Sequence, residues 1–238
     1  MKMLKSAAMV WNPKKPEAKK LAARVRAFLA AGGVRITEAG RADVLFIVGG
    51  DGTLLYNKGR FSMPIFAIGS ERSFICQATA ANWMAAVRRI MRRGFATERR
   101  MMLACEVGGR VIENALNEIV IRSRDHRVID LHVEVGRHRS EFYADGVLFS
   151  TPTGSSAYCY SCGGRELPLH AHMYEVAAIA PYRRLFRPVV VPDSTACAAW
   201  TMSGSADLVF DGQFIHRMKP GSRVRIRKSA RTVELVKA

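Results

Sequence analysis

The chain is short of acidic residues, cysteine, aromatics and long apolar runs. Only 20 Asp and Glu face 37 Lys and Arg, giving a formal net charge of +17 over 238 residues. That excess favours anionic partners such as nucleotides, polyphosphate or nucleic acid, without choosing among them. The basic residues are scattered (pairs at 88–89, 92–93, 99–100 and 183–184) and no aromatic platform is interleaved with them. They read as a generally basic surface, and nucleic acid is an unfavoured partner. Five cysteines, at 76, 105, 159, 162 and 197, make an odd number, which argues against a disulfide framework. Cys159-x-x-Cys162 has no second pair, so it reads as small buried residues on a helix. His170-x-His172 has no third ligand nearby, and no fixed protein metal site is expected. No apolar run approaches the roughly 20 residues needed to cross a bilayer. The opening MKMLKSAAMVWNPKK lacks a long apolar segment before a cleavage site, so no signal peptide is expected and the cytoplasm is the expected compartment.

What is present suffices for a proper core, in one large domain or two modest ones. The first hundred residues alternate strand and helix. Residues 5–11 read as a strand and 16–31 as a helix with Leu21, Val25, Phe28 and Leu29 near one face, ended by Gly32-Gly33. A short strand at 34–37 follows. Residues 43–48 and 63–68 are apolar runs of the kind buried in parallel sheets covered on both faces. Residues 82–93 read as a second helix. From about Arg100 the texture changes to short strand-like runs punctuated by Gly108-Gly109, Asp145-Gly146 and Asp211-Gly212. LHVEV at 131–135 alternates as a half-buried strand would. The expected fold class is an α/β N-terminal domain with an open, largely parallel sheet, plus a β-rich C-terminal domain. The expected domains are 1–97, carrying a glycine loop, and 98–238.

That glycine loop is Gly49-Gly50-Asp51-Gly52-Thr53, at the end of the buried run VLFIV. Glycines there permit positive φ and close approach of N–H groups to phosphate, and ligands of open α/β sheets bind beyond the carboxyl ends of the strands. A carboxylate in that place must meet a cation, directly or through water, or accept a hydrogen bond from a hydroxyl. A plain Asp-Gly turn explains the same letters, and from the loop alone both readings stand. The pattern is neither a P-loop nor G-x-G-x-x-G. Two further stretches carry polar residues where a strand ends: NALNEIVI at 114–121, and ADGVLFSTPTGSSAYCYSCGG at 144–164. In the second, Pro and Gly force a turn and Ser/Thr hydroxyls suit the N-terminus of a following helix, an anion or ribose site.

Taken together, GGDGT (49–53), ALNEIVI (115–121) and STPTGSSAY (150–158) followed by Gly163-Gly164 resemble the NAD kinase family, in that family's order. NPKKPEA near the start, ERRMML (98–103) and FDGQ (210–213) are weaker echoes. The resemblance implies the two-domain fold above with the active site in the cleft between the domains. It implies transfer of the γ-phosphoryl of ATP, or of polyphosphate in some members, to the 2′-hydroxyl of the adenosine ribose of NAD, giving NADP, with Mg²⁺ or another divalent cation. Asp51 matches the catalytic aspartate, as general base or orienting acceptor, with help to Mg²⁺ a further role. Gly50, Gly52 and Thr53 match the phosphate and ATP loop. Asn117 and Glu118 match contacts to the adenosine half of NAD, and Asp145 an aspartate near the nicotinamide end. Thr153, Gly154, Ser155, Ser156, Ala157, Tyr158 and Ser161 match the dinucleotide-binding turn and helix. A homodimer or homotetramer is implied. The alternatives are a non-catalytic NAD-binding regulator and a lipid-type kinase sharing GGDGT.

Three departures from the family pattern stand out. Ala67-Ile68-Gly69-Ser70-Glu71-Arg72-Ser73-Phe74 replaces a usual glycine-rich turn that lines the site, so donor choice is open. Arg165 stands where proline usually follows Gly-Gly. The C-terminal extension of many members is expected to be missing after Ala238.

Overall fold

The computed structural model describes residues 1–237. It has two compact units, Met1–Arg99 with the C-terminal residues from Val233, and Arg100–Thr232. No helix among the described residues is long and apolar enough to cross a membrane.

The first unit contains β1 (Ser6–Trp11), α1 (Pro16–Ala31), β2 (Arg35–Ile36), β3 (Val44–Val48), α2 (Asp51–Asn57), β4 (Ile65–Gly69), β5 (Ala78–Thr79) and α3 (Trp83–Arg93). The strands run parallel in the order β2-β1-β3-β4-β5. All five residues of β3, VLFIV, are buried, as are all five of β4. A strand reads as uninterrupted apolar sequence when both faces are covered, because alternation has no solvent side to mark. Phe46 and Phe66 pack at 5.3 Å between ring centroids, and Phe28 meets Trp83 edge-on at 5.5 Å.

Proline opens α1 at its first turn, where a missing N–H costs no hydrogen bond. Val25 and Leu29 on its inner face are fully buried. Gly32 closes it by donating to the carbonyls of Phe28 and Leu29. Gly94, at φ 75°, ends α3 in a conformation that disfavours any side chain.

The second unit runs from within β6 (Ala96–Val107) through β7 (Arg110–Ala115), β8 (Glu118–Ser123), β9 (Ile129–Val135), β10 (His138–Ala144), β11 (Gly146–Ser150), β12 (Met173–Ile179), β13 (Val189–Pro192), β14 (Cys197–Ser203), β15 (Ala206–Phe210) and β16 (Phe214–Met218) into β17 (Val224–Lys237). One antiparallel sheet has the order β13-β12-β11-β8-β15-β16; the other places β10-β9-β14-β17 side by side. Leu131 and Val133 of β9 pack with Ile119, Ile121, Phe149 and Phe210 of the first sheet, so the unit is a sandwich with one shared core. The alternating face of β9 puts His132 outward, stacked on Trp200 at 5.2 Å and covered by it.

The last residues of β17 return to the first unit, where Leu235 lies in parallel register with Ile65 of β4. The architecture is therefore an α/β unit with a parallel sheet and a β-rich unit, as the sequence leads one to expect.

Candidate active site

In the first unit, β3 delivers the chain into Gly49 and Gly50, at φ 149° and 104°. A side chain at Gly49 would come within 2.5 Å of Thr53 Oγ1 and 2.8 Å of Asn12 Cβ. The glycines thus let the turn close tightly over β1 before Asp51 begins α2. Gly52 is exposed and Thr53 buried, and Thr53 Oγ1 has no hydrogen-bond partner among the described residues.

The Asp51 carboxylate is tied to the segment after β4. Oδ2 accepts the Phe74 N–H at 2.7 Å; Oδ1 accepts the Ile75 N–H at 3.1 Å and the Cys76 thiol at 3.3 Å. The turn that departs from the family pattern is therefore in direct contact with the glycine-flanked aspartate. Burial, and then the charge of Asp51, push the Cys76 thiol up to about 12, so it remains a donor at any physiological pH.

In the second unit, three separated motifs meet. The buried carboxylate of Asp211 accepts the N–H groups of Leu116, Asn117 and Glu118 at 2.9, 2.7 and 3.1 Å. Thr151 donates its hydroxyl to the Leu116 carbonyl at 2.5 Å and its N–H to the Asn117 carbonyl at 2.8 Å. Gly154 lies so close to Asn117 that a Cβ would sit 2.4 Å from its carbonyl oxygen. The Asn-Glu pair is thus clamped between FDG and TPTG.

The clamp leaves two acceptors over. Asn117 Oδ1 and Glu118 Oε2 are buried with no partner among the described residues. Burial first, and then the nearby charge of Asp211, push the Glu118 carboxyl up to about 8. At pH 7 Glu118 is mostly the neutral acid and can donate a hydrogen bond. Buried polar atoms without partners are costly in a finished fold and mark where a polar ligand would satisfy them.

The turn after Pro152 differs from a helix capped by its own Ser and Thr. Ser155–Cys159 form one π-helical turn, and Gly154 ahead of it has no side-chain cap. Thr151 Oγ1 instead accepts the N–H groups of Thr153 and Gly154 at 3.1 and 3.2 Å. Ser155 is turned inward, donating to the Pro152 carbonyl and accepting from Leu167 N–H, so its hydroxyl serves the turn. Thr153 is buried, Ser156 and Tyr158 half-buried, and Ala157, Ser161 and Asp145 exposed. Burial raises the Tyr158 hydroxyl; the Arg122 charge opposes this, and Cys162, Asp145 and Glu118 add to it. Asp145, Glu118 and Arg122, which no motif marks, are thus each within electrostatic reach of Tyr158.

Arg165 also has an account. Its N–H, which a proline would lack, donates at 3.0 Å to Oε2 of the fully buried Glu175, which also accepts the Cys159 thiol at 3.4 Å. A separate cavity of about 400 Å³, lined by Met9, Trp11, Lys19 and Arg26 among others, includes none of the motif residues.

Similarity to known proteins agrees with this geometry. Residues 116–238 match the family model for the ATP-NAD kinase C-terminal domain. An NAD kinase of Geotalea daltonii is 32% identical over 210 residues, covering 83% of this chain and 74% of that one. A crystal structure of an NAD kinase from Archaeoglobus fulgidus in complex with ATP superposes with a TM-score of 0.82 at 25% identity, covering 97% of this chain and 92% of that one. The fold is shared too with yeast NADH kinase complexed with NADH, at a TM-score of 0.86, 18% identity, and 99% and 84% coverage. The fold and its clustered motifs define a phosphotransferase, a kinase. The chain belongs to the NAD kinase family.

Proposed function

We propose that the protein transfers the γ-phosphoryl of ATP, or a phosphoryl of polyphosphate, to the 2′-hydroxyl of the adenosine ribose of NAD. The 2′-oxygen forms the new bond to phosphorus and the bond to the leaving phosphate breaks. The hydroxyl proton passes to Asp51 or to water, and NADP leaves together with ADP, or with polyphosphate one phosphate shorter. The observation that carries this reading is the clamped Asn117–Glu118 pair with two unpartnered buried oxygens, a ready site for the polar edge of a nucleoside.

Asp51 is assigned to the reacting hydroxyl, and Gly50, Gly52 and Thr53 to the donor phosphates. Asn117 and Glu118 are assigned to the adenosine half of NAD, and Asp145 to its nicotinamide end. Thr153, Gly154, Ser155, Ser156, Ala157, Tyr158 and Ser161 form the dinucleotide-binding turn. Ser155 acts there through the shape of the turn, because its hydroxyl is spent on Pro152 and Leu167.

A carboxylate is a weak base toward an alcohol. Positioning and charge neutralisation therefore supply most of the rate. A divalent cation, Mg²⁺ in this reading, arrives with the donor and offsets the charge of its phosphates. No group of three or more His, Cys, Asp or Glu among the described residues offers it a protein cage, and Asp51 is the carboxylate nearest in role. We place the protein in the cytoplasm, as a homodimer or homotetramer.

The test is NADP formation from NAD with Mg²⁺ and either ATP or polyphosphate, wild type beside Asp51→Asn. Tight NAD binding with no turnover from either donor would overturn the kinase reading in favour of an NAD-binding regulator.

A further inference from the structure

The end of the altered 67–74 turn and the two residues after it hold Asp51. Hydrogen bonds tie this turn to itself and to that carboxylate. Ser70 N–H donates to Ser73 Oγ at 3.1 Å. The Ser73 hydroxyl and the Cys76 sulfur both crowd the bare face of Gly69, and the Cys76 thiol donates to Asp51 Oδ1 at 3.3 Å. The backbone of Phe74 and Ile75, between these two side chains, adds two more donors to the same carboxylate.

The turn packs where only glycine leaves room. A Cβ on Gly69 would lie 2.2 Å from Ser73 Oγ and 2.8 Å from Cys76 Sγ. On the other side, Ser73 Oγ would be 3.4 Å from a Cβ on Gly50. The Ser73 side chain therefore fits between the end of β4 and the glycine loop, and the Glu71-Arg72 charges stand exposed on the outer side of the turn.

Counting lone pairs gives the consequence. An ionised carboxylate offers about two acceptor positions on each oxygen. Oδ1 has both engaged, by Ile75 and Cys76; Oδ2 has one engaged, by Phe74. One position on Oδ2 is left.

We propose that Cys76 is a positioning residue for phosphoryl transfer. The 73–76 turn saturates Oδ1, fixes the rotation of the Asp51 carboxylate, and presents the remaining position on Oδ2 to the acceptor hydroxyl. This rests on the assignment of Asp51 to the reacting hydroxyl and goes further, naming the atom that takes the hydroxyl and the group that aims it. It also removes one option for the cation: Oδ1 cannot ligate it while both donors are in place, so the carboxylate has no bidentate site to offer. Because the thiol stays protonated, Cys76 is committed to donating, and a serine hydroxyl performs the same task at nearly the same place.

The experiment compares wild type, Cys76→Ala, Cys76→Ser and Asp51→Asn by steady-state kinetics with NAD as the varied substrate and MgATP or polyphosphate saturating. The folded fraction of each is checked by thermal melting. Cys76→Ala is expected to lower kcat about three- to tenfold, within the range for losing one ordinary hydrogen bond because a thiol is a weak donor, with KM for NAD within about twofold. Cys76→Ser is expected to return kcat to within about twofold of wild type. A Cys76→Ala enzyme with wild-type kcat would overturn the proposal. So would equal losses in Cys76→Ala and Cys76→Ser, since those would reflect packing around the sulfur. Failure of the underlying assignment looks different: Asp51→Asn itself would then turn over at a near-normal rate.

Discussion

Asp211 Oδ1 lies 2.7 Å from the backbone nitrogen of Asn117 and 3.1 Å from that of Glu118. One oxygen atom thus seats both members of the Asn-Glu pair, from a residue more than ninety positions further along the chain. The other oxygen takes Leu116. Asp211 itself adopts φ 51°, uncommon for a residue with a side chain, and its own N–H returns to the Glu118 carbonyl at 3.0 Å. The strained backbone is kept because the carboxylate closes three hydrogen bonds at once.

Replacing Asp211 by alanine leaves three buried amides without an acceptor. The expected loss of stability is about 3–5 kcal/mol, since each orphaned donor costs about 1–3 kcal/mol and the three relax together. Asp211→Asn keeps one acceptor oxygen and should lose roughly half as much. Urea denaturation of the three proteins checks this, and an Asp211→Ala protein within about 1 kcal/mol of wild type would show that the clamp is ornamental.

Glu118 makes stability depend on pH. Its carboxyl titrates near 8 in the fold, against an ordinary 4.5, because it is buried beside Asp211. The folded state therefore holds a proton that the unfolded chain releases above 4.5. The contribution is fully present below pH 4.5 and is lost as pH rises through 8, with a slope of up to about 1.4 kcal/mol per pH unit for one proton. Urea melts between pH 5.5 and 8.5 should show stability falling toward alkaline pH. Glu118→Gln, which cannot ionise, should flatten that fall, and an unchanged slope in the variant would assign it to other groups.

The strands and helices were legible in the sequence to the extent that side-chain pattern reports them. VLFIV and the run before Gly69 are buried on both faces, and α1 begins at Pro16 and stops before Gly32 as its residues suggest. What lay hidden is where backbone N–H groups go. Nothing in SFIC marks Phe74 and Ile75 as donors to Asp51, because an amide has no letter of its own. For the same reason FDGQ showed as an echo while its carboxylate's three partners did not. The cap of the TPTG turn comes from Thr151, two residues ahead of Thr153 and outside the π-helical turn. The return of the chain's end to β4 left no mark either, since VELV alternates alike in either unit.

Arg165 and Glu175 should behave as a coupled pair. Arg165→Pro removes the N–H and leaves Glu175 Oε2 with the Cys159 thiol as its donor, while Glu175→Leu leaves the Arg165 N–H without its acceptor. Each single change is expected to cost about 1–3 kcal/mol. The double variant should cost less than the sum of the two by about 1 kcal/mol or more, since both polar partners are removed together. Additive losses in a denaturant double-mutant cycle would mean that the two groups do not depend on each other.

Asp51→Asn separates binding from chemistry. Asparagine keeps the side chain's size but brings an amide N–H₂ to face the donors from Phe74, Ile75 or Cys76, and it carries no charge. In either flip the side chain has at most one oxygen to share among three donors and the acceptor hydroxyl. Contacts to the rest of NAD lie elsewhere in the proposed site, so NAD affinity by titration calorimetry should stay within a few-fold of wild type. Turnover should fall by about 10²–10⁴-fold, the range for losing a positioned acid–base group. The split between the two numbers is the informative result. A large loss of affinity with little loss of turnover would move Asp51 from the reacting hydroxyl to substrate binding, and would make the open position on Oδ2 a ground-state contact.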